Sequence, residues 1–154
     1  MIDGCDGVRE HYRATGLTQR LKTELAALGP EDQRLMPQQL GPLDQFHTGG
    51  LAATAELARL AGVNADASVL DVGSGVGGPA RFLAAIYGCR VVGVDLSEPF
   101  VDAARYLTER TGQTGQVSFQ NANALELPFD TGRFNIVFAA ACGDEHLREG
   151  AALP

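Results

Sequence analysis

The stretch that most constrains this chain lies near its middle: Val69-Leu70-Asp71-Val72-Gly73-Ser74-Gly75-Val76-Gly77-Gly78-Pro79. An apolar run ends in an acid and then in glycines, and a proline opens the next segment. Apolar runs bounded by turn residues read as buried strands, and proline suits the first positions of a helix. Closely spaced glycines permit a tight turn and let a ligand approach the backbone, while amides at a helix start offer it donors. Asp95 closes the next apolar run. It stands at the spacing of roughly 20 residues where an acid can accept hydrogen bonds from ribose hydroxyls. The loop alone could be a tight strand–helix turn and nothing more. Strand, loop, helix and acid together point to a cofactor carrying a nucleoside.

The rest of the chain alternates in the same way. Leu21, Leu25 and Leu28 ahead of Gly29-Pro30 predict an amphipathic helix over 17–28. Residues 31–42, broken by Pro37, Gly41 and Pro42, read as a connector with one helical turn. Asp44-Gln45-Phe46-His47-Thr48-Gly49-Gly50 is a polar, glycine-rich entry to a second helix. Thr48 is its expected cap, Leu51, Leu57, Ala58 and Leu60 its apolar side, and Gly62 its stop. Strands are expected over 68–72, 90–95, 116–120 and 134–141. Helices are expected over 79–87, stopped by Gly88, and over 98–110, capped by Ser97 and followed by Gly112. Unbroken apolar strands alternating with helices predict an α/β fold with a mostly parallel sheet. Helices over 1–66 form a cap or lid, 67–141 form the sheet-bearing half, and 142–154 is an irregular tail. The outer strand leaves an unpaired edge that a second copy of the chain could cover.

Composition narrows the partners. Lys+Arg is 12 against Asp+Glu 19, a formal charge of −7, which speaks against nucleic acid and anionic membrane surfaces. No run approaches the ~18 apolar residues of a membrane span, and residues 1–13 lack the apolar centre of a signal peptide. Cys5, Cys89 and Cys142 are odd in number and far apart. They read as reduced thiols of a cytoplasmic protein without a metal site, with Cys89 a core residue.

Gly73, Gly75 and Gly78 satisfy G-x-G-x-x-G, so a dinucleotide enters the comparison. Asp71 argues against it, since an acid at the strand end repels a doubly charged pyrophosphate. S-adenosylmethionine, with an ammonium and a sulfonium, suits that acid better. Asp71-x-Gly73-x-Gly75-x-Gly77-Gly78 followed by Asp95 resembles the class I S-adenosylmethionine-dependent methyltransferases. Within them it is most similar to the small-molecule branch of sarcosine/dimethylglycine and quinone-type methyltransferases. The stretch from Asp44 to Gly50 and the approach Val8-Arg9-Glu10-His11-Tyr12 add to the likeness.

The resemblance implies a Rossmann-like sheet of which these are the first four strands, and roles for single residues. Asp71 and the amides of Gly73, Ser74, Gly75 and Gly77 would hold the methionine part of the cofactor. Asp95 would bind the ribose and Leu96 would pack on the adenine. Asn123, with Ala124 beside it, stands where the family carries an acid for the adenine amino group; a loop-capping Asn is the other reading. Asn135 replaces an acid at the start of the fourth strand, and Ala139-Ala140-Ala141 lack the polar groups the family carries there. The chain therefore reads as a C-terminally truncated relative. His47 and Tyr12 are candidates for lining the acceptor side, against a structural hydrogen bonder and a packed lid residue. The expected activity is methyl transfer to a small-molecule amine or carbon acceptor. The alternatives are a cofactor-binding remnant without catalysis and an NAD-type module of an oxidoreductase.

Overall fold

The structure, a computed structural model, describes residues 16–44 and 50–139. Expectations for Tyr12, His47, Thr48 and the tail lie outside the described residues. Within them the chain forms α1 (Leu17–Leu25), a 3-10 turn (Pro37–Leu40), a short helix α2 (Gly41–Asp44) and α3 (Gly50–Leu60). Then come β1 (Ser68–Val72), α4 (Gly78–Tyr87), β2 (Arg90–Asp95), α5 (Glu98–Thr111), β3 (Val117–Asn121) and β4 (Ile136–Phe138). All described strand pairs are parallel, in the order β3-β2-β1-β4. This is the predicted α/β, Rossmann-like arrangement. No helix among the described residues is long and apolar enough to cross a membrane.

Register explains the core. Val69 pairs with Val91 and Val91 with Val117, while Asp71 pairs with Gly93 and Phe138, and Gly93 with Phe119. Paired residues share a face of a sheet. The apolar ones among them cluster with Ala58 of α3, Ala80, Leu83 and Ala84 of α4, and Val101 and Ala104 of α5. Cys89 is fully buried in the same cluster, as expected. Leu83, Val69 and Val91 are at most 1% exposed, each a side chain whose burial contributes about 1.5–3 kcal/mol. A second cluster joins Leu21 and Leu25 of α1 to Leu35, Leu40, Ala103 and Leu107, and it takes in Val76 from the glycine loop. The N-terminal helix and the loop thus share one core.

Four local expectations are corrected. Helix α1 ends at Leu25, with residues 26–28 in a turn and Leu28 41% exposed. On α3 the packed side is Thr54 and Ala58, whereas Leu57 and Leu60 are exposed. Small side chains let α3 lie close to α4, and that contact decides its rotation. Ser97 occupies the N-cap of α5 but makes no side-chain cap bond. Its amide donates to Asp95 Oδ1 at 2.8 Å, so the acid fastens the helix start instead. Finally, β4 begins at Ile136, because Asn135 has another task. Its amide donates to Ser68 O (3.0 Å), and its Oδ1 accepts from Ser68 N (2.8 Å), clamping the two strand starts together.

Candidate cofactor site

The site forms where β1 and β2 end and the chain turns into α4. The turn is held from within. The amides of Gly73 and Ser74 both donate to Val94 O, at 2.9 and 3.0 Å, and Gly77 N donates to Ser74 O at 2.8 Å. Gly75 N donates to Asp95 Oδ2 at 2.8 Å. Each of the four amides expected to face a ligand thus has a partner within the loop or at the end of β2. A buried N–H needs a partner, and a turn this tight finds its partners in the neighbouring strand end.

The glycines serve different ends. Gly75 has φ +53°, and a Cβ built on it would meet open space. Gly77 has φ +82°, and a Cβ there would collide with the Phe119 ring and come within 2.9 Å of Arg81 Nη1. Gly75 therefore keeps a surface clear, whereas Gly77 makes room for the chain's own packing. Gly93 in β2 belongs with Gly77. Its Cβ would lie 2.5 Å from Phe119 Cδ1 and 2.8 Å from Ser74 Oγ. Sequence reasoning passed over Gly93, although a glycine inside a strand signals such a close approach.

Two buried polar atoms in this region have no hydrogen-bond partner, Asp71 Oδ2 and Ser74 Oγ. Asp71 is 1% exposed, and burial followed by the charge of Asp95 pushes its carboxyl up to about 8. An unpaired buried carboxylate is costly, so the proton is held. Asp95 is partly buried. Desolvation holds it above the ordinary carboxylate range, and hydrogen bonds from the amides of Ser97, Gly75 and Leu96 offset that only in part. A carboxylate offers about four acceptor positions, so the bonds from Gly75 and Ser97 leave capacity for further donors. Asn121, opposite Asp95 in the sheet, braces this end: its Nδ2 donates to Asp95 O (3.0 Å) and Leu96 O (2.9 Å). An Asn closing the strand beside an Asp-terminated one was the available sign of this brace.

Asn123 Oδ1 accepts from Leu125 N at 3.0 Å, and its carbonyl accepts from Glu126 N at 3.0 Å. That is the geometry of the loop-capping reading, and Ala124 lies exposed within the turn. His47 and Tyr12 lie outside the described residues.

The comparisons with known proteins decide the family. A pattern described as a methyltransferase domain matches residues 69–152, more than half of the chain. The chain belongs to the methyltransferase domain family. Among its relatives is the probable chloroplastic tocopherol O-methyltransferase of Oryza sativa subsp. japonica, 41% identical over 80 residues. The match takes in 52% of this chain and 22% of the rice protein. The sterol 24-C-methyltransferase of Saccharomyces cerevisiae is 35% identical over 83 residues, 54% of this chain and 22% of the yeast protein. The matches thus span less than a quarter of these relatives' length. The geranyl diphosphate C-methyltransferase of Streptomyces coelicolor, solved with S-adenosyl-L-homocysteine, superposes with a TM-score of 0.54 at 27% identity. That superposition covers 57% of this chain and 33% of the other. S-adenosylmethionine is the methyl donor this family uses.

Family membership also settles the choice of cofactor more firmly than charge does. With Asp71 held up to about 8, little charge remains near neutral pH to repel a pyrophosphate. The methyltransferase pattern, not repulsion, is what decides against the dinucleotide.

Proposed function

We propose that residues 68–124 form the donor-binding part of an S-adenosylmethionine-dependent methyltransferase acting on a small-molecule amine or carbon acceptor. The observation that carries this reading is the unpartnered oxygen of Asp71, buried beside a loop whose Gly75 is kept clear. An acceptor with no donor in the protein suits a ligand that brings its own, and an ammonium group is the strongest such donor. Asp71 would take that ammonium, and the bare edge of Gly75 would let the ligand backbone close in. Asp95 would receive the ribose hydroxyls through its remaining acceptor positions, with Leu96 against the base. Asn123 would meet the adenine edge with its neutral amide, a weaker partner than an acid. Ser74, whose hydroxyl also lacks a partner, completes the donor side.

When bound, the cofactor supplies a methyl group already activated by the sulfonium, so the protein's share is proximity and orientation. Asp71 and Asp95 would fix the two ends of the ligand from adjacent strand ends, which sets the direction in which the methyl group points. His47 and Tyr12 remain our candidates for the acceptor side, and no catalytic base is assigned. The odd cysteine count and the buried Cys89 thiol support a reducing, cytoplasmic setting. The relatives named for tocopherol and sterol methylation support an acceptor that is a small molecule.

Calorimetric titration with S-adenosylhomocysteine and, separately, with NAD tests the reading. Micromolar binding of the first, weakened at least tenfold in Asp95→Ala, is the expected result. Binding of NAD without S-adenosylhomocysteine would overturn it.

A further inference from the structure

Arg81 is the largest fully buried side chain of the described residues, at 0% exposure. Its Nη2 donates to Asp44 Oδ2 at 2.8 Å, and Asp44 is itself only 4% exposed. Its Nη1 reaches Ala104 O and Thr108 Oγ1 on α5, both at 3.3 Å. Its carbonyl accepts from Gln113 Nε2 at 2.8 Å. That same Nη1 lies 2.9 Å from where a Cβ of Gly77 would stand. One guanidinium therefore touches α2, α5 and the underside of the glycine turn. A buried ion pair is on average no more stabilising than apolar side chains of the same volume, so stability alone does not account for it. What the pair adds is a fixed position, since a planar fork held at both ends has one orientation.

We propose that Arg81, held by Asp44, is a positioning residue that sets the shape of the glycine turn and through it the affinity for the cofactor. The three heavy atoms nearest to where a Cβ of Gly77 would stand belong to the Phe119 ring and to this guanidinium. Without Asp44 the guanidinium keeps, among the described residues, only its two longer bonds to α5, both 3.3 Å, and its place beside Gly77 is less firmly fixed. The amides of Gly75 and Gly77, bonded to Asp95 and to Ser74, then open more often. The affinity half of the proposal rests on the cofactor site proposed for Asp71 and Asp95; the effect on the turn does not.

The test compares the unaltered full chain with Asp44→Asn and with the double variant Asp44→Asn/Arg81→Gln. The double variant keeps the interior electrically neutral and is read in place of the single one if that one does not fold. Amide hydrogen exchange is monitored by NMR, and S-adenosylhomocysteine affinity by calorimetry. We expect Gly75 and Gly77 to exchange at least tenfold faster while β1 and β2 amides keep their rates, and affinity to weaken about tenfold. Loop amides that keep their rates, or that speed up only in step with the strands, overturn the proposal. So does a loosened turn with unchanged affinity. If the unaltered chain binds no S-adenosylhomocysteine, the cofactor reading fails alone, and the exchange rates still decide whether Arg81 shapes the turn.

Discussion

In the proposed site Asp71 is the central group, because it is buried and its nearest charge is that of another acid, Asp95. An acid whose folded value is raised from 3.8 to about 8 holds its proton more tightly folded than unfolded. Its contribution to stability is complete below the ordinary carboxylate range and is lost as pH rises through the folded value. Stability of the ligand-free chain should therefore fall as pH rises from about 4 to about 8. The slope from this group is at most about 1.4 kcal/mol per pH unit. Denaturant titrations across that range should show the decline in the unaltered chain and a flatter profile in Asp71→Asn. An ammonium group placed against this carboxyl reverses the preference, because it favours the ionised form. Binding of S-adenosylhomocysteine near pH 7 should accordingly release a proton, seen as a binding enthalpy that changes with the buffer. Asp95 acts differently. It is already bonded to the amides of Gly75 and Ser97, so it shapes the loop and the start of α5 before any ligand arrives.

At the scale of elements, the turn between β1 and α4 contains two kinds of glycine, and substitution separates them. Gly75→Ala places a methyl group in open space at φ +53°, costing about 1–2 kcal/mol of stability while blocking the ligand's approach. Gly77→Ala adds a collision with Phe119 at φ +82°, for a total of about 2–5 kcal/mol. Thermal unfolding and calorimetry on the two variants should show the first folded but at least tenfold weaker in binding, and the second chiefly destabilised. These roles were not separable in the sequence, where both glycines belong to one motif. The bounds of β1 and β2 were legible there, because each valine-rich run has a clear stop, Gly73 directly after β1 and Asp95 closing β2. The start of β4 was not, since Asn135 acts through its contact with Ser68, 67 residues away in the chain. The rotation of α3 was missed for a similar reason: counting leucines favours Leu57 and Leu60, but close packing is governed by Thr54 and Ala58. Nor could spacing reveal the pairing of Arg81 with Asp44, 37 residues apart, because arginine is normally a surface residue.

For the molecule as a whole, the N-terminal layer and the cofactor loop are parts of one packed body. Val76 sits in the same apolar cluster as Leu21 and Leu25 of α1. Leu25 is fully buried, so Leu25→Ala should lower stability by about 2–5 kcal/mol. Because the cluster reaches the loop, the same variant should also bind S-adenosylhomocysteine more weakly. A variant that unfolds earlier yet binds as before, at a temperature where it is fully folded, would separate the two. The fold, the family and the location of the glycine loop could all be read from one motif and the strand rhythm around it. The inward use of the loop amides could not, since it depends on Val94 and Asp95 lying beside the turn. The most direct single measurement is an NMR titration of the labelled chain with S-adenosylhomocysteine, mapped onto the backbone amides. We expect the perturbed amides to gather at Asp71, residues 73–77, Asp95, Leu96 and residues 121–124. Perturbations gathered elsewhere on the surface, or none from a folded chain, would contradict a cofactor site at the ends of β1 and β2.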